Sequence, residues 1–236
     1  MFLLLACKKQ TDLDCFTSNG SEKTEVRQVG AFNSIDVVDK IDVMIYSGNE
    51  YKVEVTCGDH IIKNIITTVE DGTLKLQNIN TCNFVRGYKR TIKASITLPY
   101  LKFLRNEGVG TSRLADNFVQ DTVVVRAESS GDIYVGGTFN QIRTSSHGNG
   151  DIYLNGSANS LDVYMFGINF LHAESLNVKD FIFVETYSIG DCYVNTQNTG
   201  QLAYNIWDQG NIYYTGHPSA IVNVSHDQGT GRAIQK

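Results

Sequence analysis

The stretch that decides the fold is a short motif in the second half of the chain, which occurs as Ser130-Gly-Asp-Ile-Tyr-Val135, Asn149-Gly-Asp-Ile-Tyr-Leu154, Ile189-Gly-Asp-Cys-Tyr-Val194 and Gln209-Gly-Asn-Ile-Tyr-Tyr214. After the glycine, polar and apolar positions alternate, and this period of two is typical of a β-strand with one buried face. A single copy is too short to bury its apolar side chains, whereas stacked copies share one core. The recurrence therefore predicts a repeat architecture made of strands.

The spacing of the repeat follows from the glycines of these copies and of three weaker ones. They are Gly110, Gly131, Gly150, Gly167, Gly190, Gly210 and Gly229. Their mean spacing is about 20 residues, and further apolar segments such as 122–126 and 160–163 lie between them. We predict an all-β fold, a β-solenoid similar to a right-handed β-helix with turns of about 20 residues. The Gly167 copy breaks the alternation, so its register stays open.

Alternation also predicts which side chains point inward. In Gly-Asp-Ile-Tyr-Val the Ile and Val face the core, while Asp and Tyr face outward. Cys192 stands at an Ile position and is expected to be a buried thiol. His147, Trp207 and His226 each precede a repeat glycine by the same interval, so we expect this position to accept an aromatic ring at a turn.

The region before the repeats reads as short strands joined by turns. Asp71-Gly72 is a typical two-residue hairpin turn, and residues 59–66 could form only a short helical turn. We expect one β domain over 25–236, in which an N-terminal antiparallel β region (25–100) precedes solenoid repeats (101–236). The strands predicted in the first part are 35–38, 41–45, 51–55, 69–76 (the hairpin) and 91–98.

Composition limits the class of protein. Hydrophobic residues make up 42% of the chain and charged residues 19%, which indicates a folded chain rather than a disordered one. The formal net charge is −5 and the basic residues are scattered. A nucleic-acid-binding protein needs a basic stripe, so we expect no nucleic-acid partner.

The N-terminus resembles the end of a bacterial lipoprotein signal. Leu4-Leu5-Ala6-Cys7 matches the lipobox, in which the cysteine is acylated. The apolar run is much shorter than the ~20 residues that span a bilayer. We therefore expect a signal remnant (1–7), a polar tether (8–24) and a lipid anchor on Cys7, with the protein in the cell envelope on either face of the outer membrane. The alternative is a frayed apolar N-terminus with an ordinary cysteine.

The other cysteines are Cys15, Cys57, Cys82 and Cys192. An exported protein can contain disulfides. A Cys15–Cys82 disulfide would attach the tether to the first sheet, and the alternative is that some of the four are buried thiols. None of the spacings matches a zinc site, and we expect no metal and no cofactor.

These segments together resemble a known family. The chain is similar to the DUF2807 family, described as the putative autotransporter adhesin, head GIN domain, which is common in lipoproteins of Bacteroidetes. Many members carry Ser-Gly-Gly-Ser-Asp repeats, which here become degenerate. The resemblance implies an exported, solenoid-like protein and supplies no catalytic residues. It rests on 26–37, 41–45, 69–76, the Gly-Asp-Ile-Tyr copies and 210–218.

The outward-facing positions form the candidate ligand site. On a solenoid these acids and rings would stack into a ladder, and such a surface suits a carbohydrate, a peptide or a partner subunit. The alternative is structural, with Asp supporting the turn and Tyr stabilising neighbouring strands. The ladder consists of Asp132, Tyr134, Asp151, Tyr153, Asp191, Tyr193, Asn211 and Tyr213.

We therefore predict a non-enzymatic envelope lipoprotein, an adhesin or ligand-binding module that uses the solenoid face for a glycan or protein ligand. One alternative is a polysaccharide lyase-like β-helix enzyme, with Ca²⁺ at Asp132 and Asp151 and a catalytic Arg126 or Arg143. Another is a structural protein that associates with its own copies as a homo-oligomer. No catalytic constellation is visible in the sequence.

Overall fold

The computed structural model describes residues 18–80, 91–225 and 229–236. Within these ranges 18 strands form one sheet, with one 3-10 turn at Ile62–Asn64 and no helix long and apolar enough to cross a membrane. The strands are β1 (Glu22–Arg27), β2 (Ser34–Val37), β3 (Ile41–Ser47), β4 (Lys52–Gly58), β5 (Ile65–Glu70), β6 (Thr73–Asn78), β7 (Ile92–Leu98), β8 (Phe103–Asn106), β9 (Ser112–Leu114), β10 (Val119–Ala127), β11 (Ile133–Ser146), β12 (Ile152–Gly167), β13 (Leu171–Ser188), β14 (Cys192–Asn195), β15 (Gln201–Ile206), β16 (Ile212–Thr215), β17 (Ala220–Asn223) and β18 (Ala233–Gln235).

The second half of the chain is a parallel stack, which confirms the predicted solenoid. β10, β11 and β12 pair in one constant register, and β12 pairs with β13 with two register shifts. Ile133 lies beside Ile152, and Ile152 beside Leu171. β14, β16 and β18 continue one side of the stack above β13, while β15 and β17 continue another. The repeat spacing of roughly 20 residues over about 6 turns agrees with the sequence.

The core consists of columns of apolar side chains that point into the stack. Ile133, Ile152, Leu171, Cys192 and Ile212 form one such column, and each is 0% exposed. Full burial of an aliphatic side chain of this size contributes about 1.5–3 kcal/mol. Cys192 therefore replaces a core isoleucine, as the alternation predicted.

The N-terminal region contains the expected antiparallel pairs and also joins the stack. β1 pairs with β4, β4 with β7 and β5 with β6, all antiparallel. Asp71 (φ 48°) and Gly72 (φ 72°) form the predicted hairpin turn. β2 and β3, however, pair in parallel with β6 and β7, so the region predicted as antiparallel is a mixed one. β2 and β3 also pair in parallel with β8 and β9, so the two parts share one continuous sheet. The first of the described strands begins at Glu22, inside the segment predicted as tether.

The glycine column differs from the sequence prediction at two repeats. A side chain added to Gly190 would meet the carbonyl oxygen of Asn169, and one on Gly231 would meet that of Gly210. Asn169 and Gly231 thus occupy the column, whereas Gly167 stacks on Gly148 in a second column. Asn169 is accepted there because its buried Nδ2 donates hydrogen bonds to the carbonyl oxygens of Gly148 (2.7 Å) and Phe166 (2.6 Å).

The cysteines divide into two groups. Cys57 and Cys192 are free and buried. The predicted lipid attachment site Cys7 and the predicted disulfide between Cys15 and Cys82 lie outside the described residues.

Candidate functional site: the ring column and its groove

The outward tyrosines of the repeats form a continuous stack, which we call the ring column: Tyr134, Tyr153, His172, Tyr193 and Tyr213. Successive ring centroids are 4.4, 4.5, 5.7 and 5.2 Å apart, and neighbouring planes differ by 6 to 12°. The spacing follows from the distance between neighbouring strands, ~4.8 Å. The structure therefore brings together all four tyrosines that the sequence singled out.

His172 is the member that the sequence analysis missed. It pairs with Tyr153 on one side and with Tyr193 on the other. The signal was present, because Asn169 precedes His172 by the same interval as Gly150 precedes Tyr153. Gly167 conceals it, because aligning the repeat on that glycine gives a different register from the one that Asn169 sets.

The faces of these rings are covered along the column. Each inner ring lies between two others, and the Arg113 guanidinium lies 3.7 Å from the centroid of Tyr134. The next strand places Ile234 beside Tyr213. Lys236 Nζ lies beside two rings, 4.4 Å from the Tyr213 centroid and 4.6 Å from the Tyr193 centroid. Cations at this distance bind the electron-rich ring face. A sugar that stacks on an aromatic face would find none free within the column, so the surface it presents consists of ring edges.

The acids beside the rings hold the turns together. The backbone N–H of Asp151 donates to Oδ1 of Asp132 (3.0 Å), and that of Phe170 donates to Oδ1 of Asp151 (2.8 Å). The N–H of Asn211 likewise donates to Oδ1 of Asp191 (2.8 Å). One oxygen of each carboxylate therefore supports the next repeat, and Phe170 takes the place of an acid in the third copy.

Burial and these acids raise the pKa of two phenols in the column, those of Tyr153 and Tyr193. Burial, and then the charge of Asp151, raises the pKa of Tyr153 to about 12. Burial, followed by Asp191, also raises the pKa of Tyr193. The Tyr193 hydroxyl donates to Oδ2 of Asp191 (3.4 Å). The edge of the column therefore presents tyrosine hydroxyl groups beside carboxylates.

A groove of about 710 Å³ runs along the first three rings of the column. Its polar side carries Arg113, Asp116 and Glu174, and Asn155 Nδ2 donates to Oδ1 of Asp116 (3.0 Å). The lining mixes apolar and polar side chains in nearly equal measure, which is more polar than the usual small-molecule site. The lining consists of Met44, Tyr46, Arg113, Leu114, Ala115, Asp116, Tyr134, Tyr153, Leu154, Asn155, His172, Glu174 and Ser175.

A second stack of rings occupies the turn position predicted for His147 and Trp207. His147, Phe166, Tyr187 and Trp207 stack with centroids 5.0, 4.7 and 5.5 Å apart. The Trp207 Nε1 donates to Oε1 of Glu185 (2.9 Å). Burial, and then Arg126, lowers the pKa of His147. His226, which was expected at the same position, lies outside the described residues.

The arginines considered for lyase chemistry do not gather around Asp132 and Asp151. Arg126 Nε forms an ion pair with Oε1 of Glu128 (2.6 Å), and its guanidinium lies 3.2 Å from Nε2 of His147. Arg143 is exposed on β11, beside Asp162 of the next strand. In the described part of the chain no three His, Cys, Asp or Glu side chains are placed to hold a metal ion.

Comparison with known proteins identifies one family model and several solved structures with a similar fold. The family model described as "Putative auto-transporter adhesin, head GIN domain" matches residues 31–218. A "putative adhesin" from Bacteroides fragilis is 22% identical with a TM-score of 0.79, over 92% of this chain and 97% of its own.

Two solved structures from Parabacteroides are also similar. A "putative lipid binding protein" from Parabacteroides distasonis (TM-score 0.66) and a "putative adhesin" from Parabacteroides merdae (TM-score 0.64) are each 18% identical, over 92% of this chain and 98% of their own. At these identities the likeness concerns the fold. No curated protein matches the chain.

Proposed function

The chain belongs to the DUF2807 family, and on that basis we propose that it is a non-enzymatic adhesin of the cell envelope, attached to the outer membrane by a lipid on Cys7. The ligand is a glycan or a protein chain that binds in the groove beside the ring column. The name of the family and the names of the similar solved proteins, adhesins and a lipid-binding protein, support a binding role.

The groove is the observation that carries the proposal. It combines apolar Met44 and Leu114 with charged Arg113 and Glu174 along the row of tyrosine hydroxyls. Because the ring faces are already stacked, we expect a ligand to form hydrogen bonds with the tyrosine hydroxyls at the ring edges and to contact side chains outside the column. Tyr46 is such a side chain, since it lines the groove and is 40% exposed.

Binding of the purified protein to a glycan array and to matrix proteins tests the adhesin function. We expect binding of at least one ligand, lost by Tyr46→Ala and weakened by Tyr153→Phe, which removes a hydroxyl but keeps the ring stack. Tyr100→Ala is the matched control, because Tyr100 is 41% exposed and does not line the groove. Absence of binding to every glycan and protein tested would contradict the adhesin function. Equal loss in the Tyr46 and Tyr100 variants would contradict the proposed site.

The lipid anchor has a separate test. Cys7→Ser should release the protein from the membrane fraction of the producing cells and abolish incorporation of labelled fatty acid. Cys15→Ser is the control, since Cys15 lies near Cys7 in the sequence and outside the lipobox. Membrane retention and labelling of the Cys7→Ser protein would contradict the lipoprotein assignment. Such a result would not bear on the proposed binding site.

A further inference from the structure

The C-terminal end of the stack exposes apolar side chains at an open sheet edge. Among the described strands, β17 pairs only with β15, and β18 only with β16. Ile221, Val222, Val224 and Ile234 are 46, 39, 53 and 36% exposed. Leu202, directly beneath Ile221 in the same inward column, is 0% exposed. The last layer of the core is therefore partly uncovered.

The backbone of β17 is also available at this edge. The N–H groups of Ala220 and Val224 donate to the carbonyl oxygens of Gly200 (3.1 Å) and Tyr204 (3.0 Å) in the preceding turn. Backbone direction alternates along a strand, so the N–H and C=O groups of Ile221 and Asn223 point to the open side. An edge of this kind is a template for the addition of another strand.

The opposite end of the molecule has two open edges among the described strands, β1 and β5, and both carry charge. β5 pairs only with β6 and ends at Glu70. β1 pairs only with β4 among the described strands and carries alternating charges, with Glu25 in ion pairs to Lys23 (2.8 Å) and Arg27 (3.1 Å). Charged edge strands oppose pairing with other strands. The segment 220–224 (Ala-Ile-Val-Asn-Val) contains no charge at all. Lys236, which follows β18, places its Nζ beside the Tyr193 and Tyr213 rings, at 4.6 and 4.4 Å from their centroids.

We propose that the β17 edge binds the same edge of a second copy of this chain, as an antiparallel pair centred on Val222. A two-fold dimer brings identical patches together. In this register Ile221 of one copy faces Asn223 of the other, and they exchange both backbone hydrogen bonds. Val222 faces Val222 in a non-hydrogen-bonded pair, in which side chains approach most closely. The paired segments contain no charged side chains that could repel each other, and the strand of the other copy lies beside each Ile221.

Sedimentation velocity of the full-length chain over a range of concentrations tests this dimer. We expect a monomer–dimer equilibrium that Val222→Lys weakens at least about tenfold, because the two lysines would lie opposite each other. Val26→Lys is the matched control, since Val26 is 55% exposed on the β1 edge, and it should leave the equilibrium unchanged. Circular dichroism of both variants verifies that they are folded.

A cross-link measures the register directly. Residues directly opposite in an antiparallel pair have Cβ atoms about 4.5–5.5 Å apart, close to disulfide geometry. Val222→Cys should therefore give a disulfide-linked dimer under mild oxidation, in excess of the background of the parent chain. Val224→Cys should not, because Val224 would face Ala220. A monomer at every concentration, loss of the dimer in Val26→Lys rather than Val222→Lys, or cross-linking of Val224→Cys alone would overturn the proposal.

Discussion

Replacement of Gly150 by alanine tests whether the glycine column is required by the close approach of neighbouring turns. A Cβ on Gly150 would lie 2.4 Å from the carbonyl oxygen of Gly131 and 2.9 Å from its carbonyl carbon. Non-bonded heavy atoms are in optimal contact at about 3.5 Å or more. The two turns would therefore have to separate by about 1 Å at this point.

The hydrogen bonds between the turns give the size of the effect. The N–H groups of Asn149 and Gly150 both donate to the carbonyl oxygen of Ser129 at 2.9 Å. A displacement of about 1 Å would take them beyond the usual N–H···O range, which ends near 3.2 Å. Each such bond contributes about 0.5–1.5 kcal/mol, so the free energy of unfolding should fall by about 1–3 kcal/mol. For a chain of this size the Tm should fall by about 2–12 °C.

Urea unfolding and thermal unfolding, followed by circular dichroism and by emission of the single tryptophan, Trp207, measure this change. Gly30→Ala is the control, because no heavy atom lies within 4 Å of the position that its Cβ would take. We expect its free energy of unfolding to stay within about 0.5 kcal/mol of the parent or to rise slightly. Equal stability of the Gly150→Ala protein and the parent would refute the steric explanation.

Three further predictions concern single side chains. The pKa of Tyr153 is raised from 10.0 to about 12 in the folded state, so the free energy of unfolding should fall as the pH rises from about 10 to about 12. The fall should be smaller in Tyr153→Phe. The same pH dependence of the free energy of unfolding in both proteins, measured by urea unfolding, would contradict this. Cys192 is fully buried and its pKa is raised to about 12, so iodoacetamide at pH 8 should alkylate it only after urea unfolds the protein. Alkylation of Cys192 in the folded protein, detected by mass spectrometry, would disprove its burial. Glu185→Ala removes the acceptor of the Trp207 N–H and should lower the free energy of unfolding by about 1 kcal/mol, whereas Glu185→Gln should cost less, as measured by urea unfolding.

Much of the fold follows from local sequence. The alternation in Gly-Asp-Ile-Tyr-Val predicted a strand with Ile133 inward and Tyr134 outward, and both positions are confirmed. The Asp71-Gly72 turn was predictable because few residues adopt positive φ easily. The buried state of Cys192 followed from its repeat position alone.

The errors arose where the register depended on a contact distant in sequence. Gly167 appeared to continue the glycine column, but Asn169 occupies it through hydrogen bonds to the carbonyl oxygens of Gly148 and Phe166. The displaced register concealed His172 as a member of the ring column. No local pattern could reveal that the side-chain amide of an asparagine would support a turn where glycine usually stands.

The sequence by itself determined the repeat, its mean spacing and the inward or outward direction of side chains in the regular Gly-Asp-Ile-Tyr copies, because these depend on alternation within one strand and on glycine at the bend. Only the tertiary structure decided how the outward side chains are used. Stacking of successive turns covers the faces of Tyr153 and its neighbours and leaves their edges to the groove. It also leaves Ile221, which lies beside the buried Leu202 in the inward column, partly exposed at the end of the stack, because no further layer among the described strands lies above it.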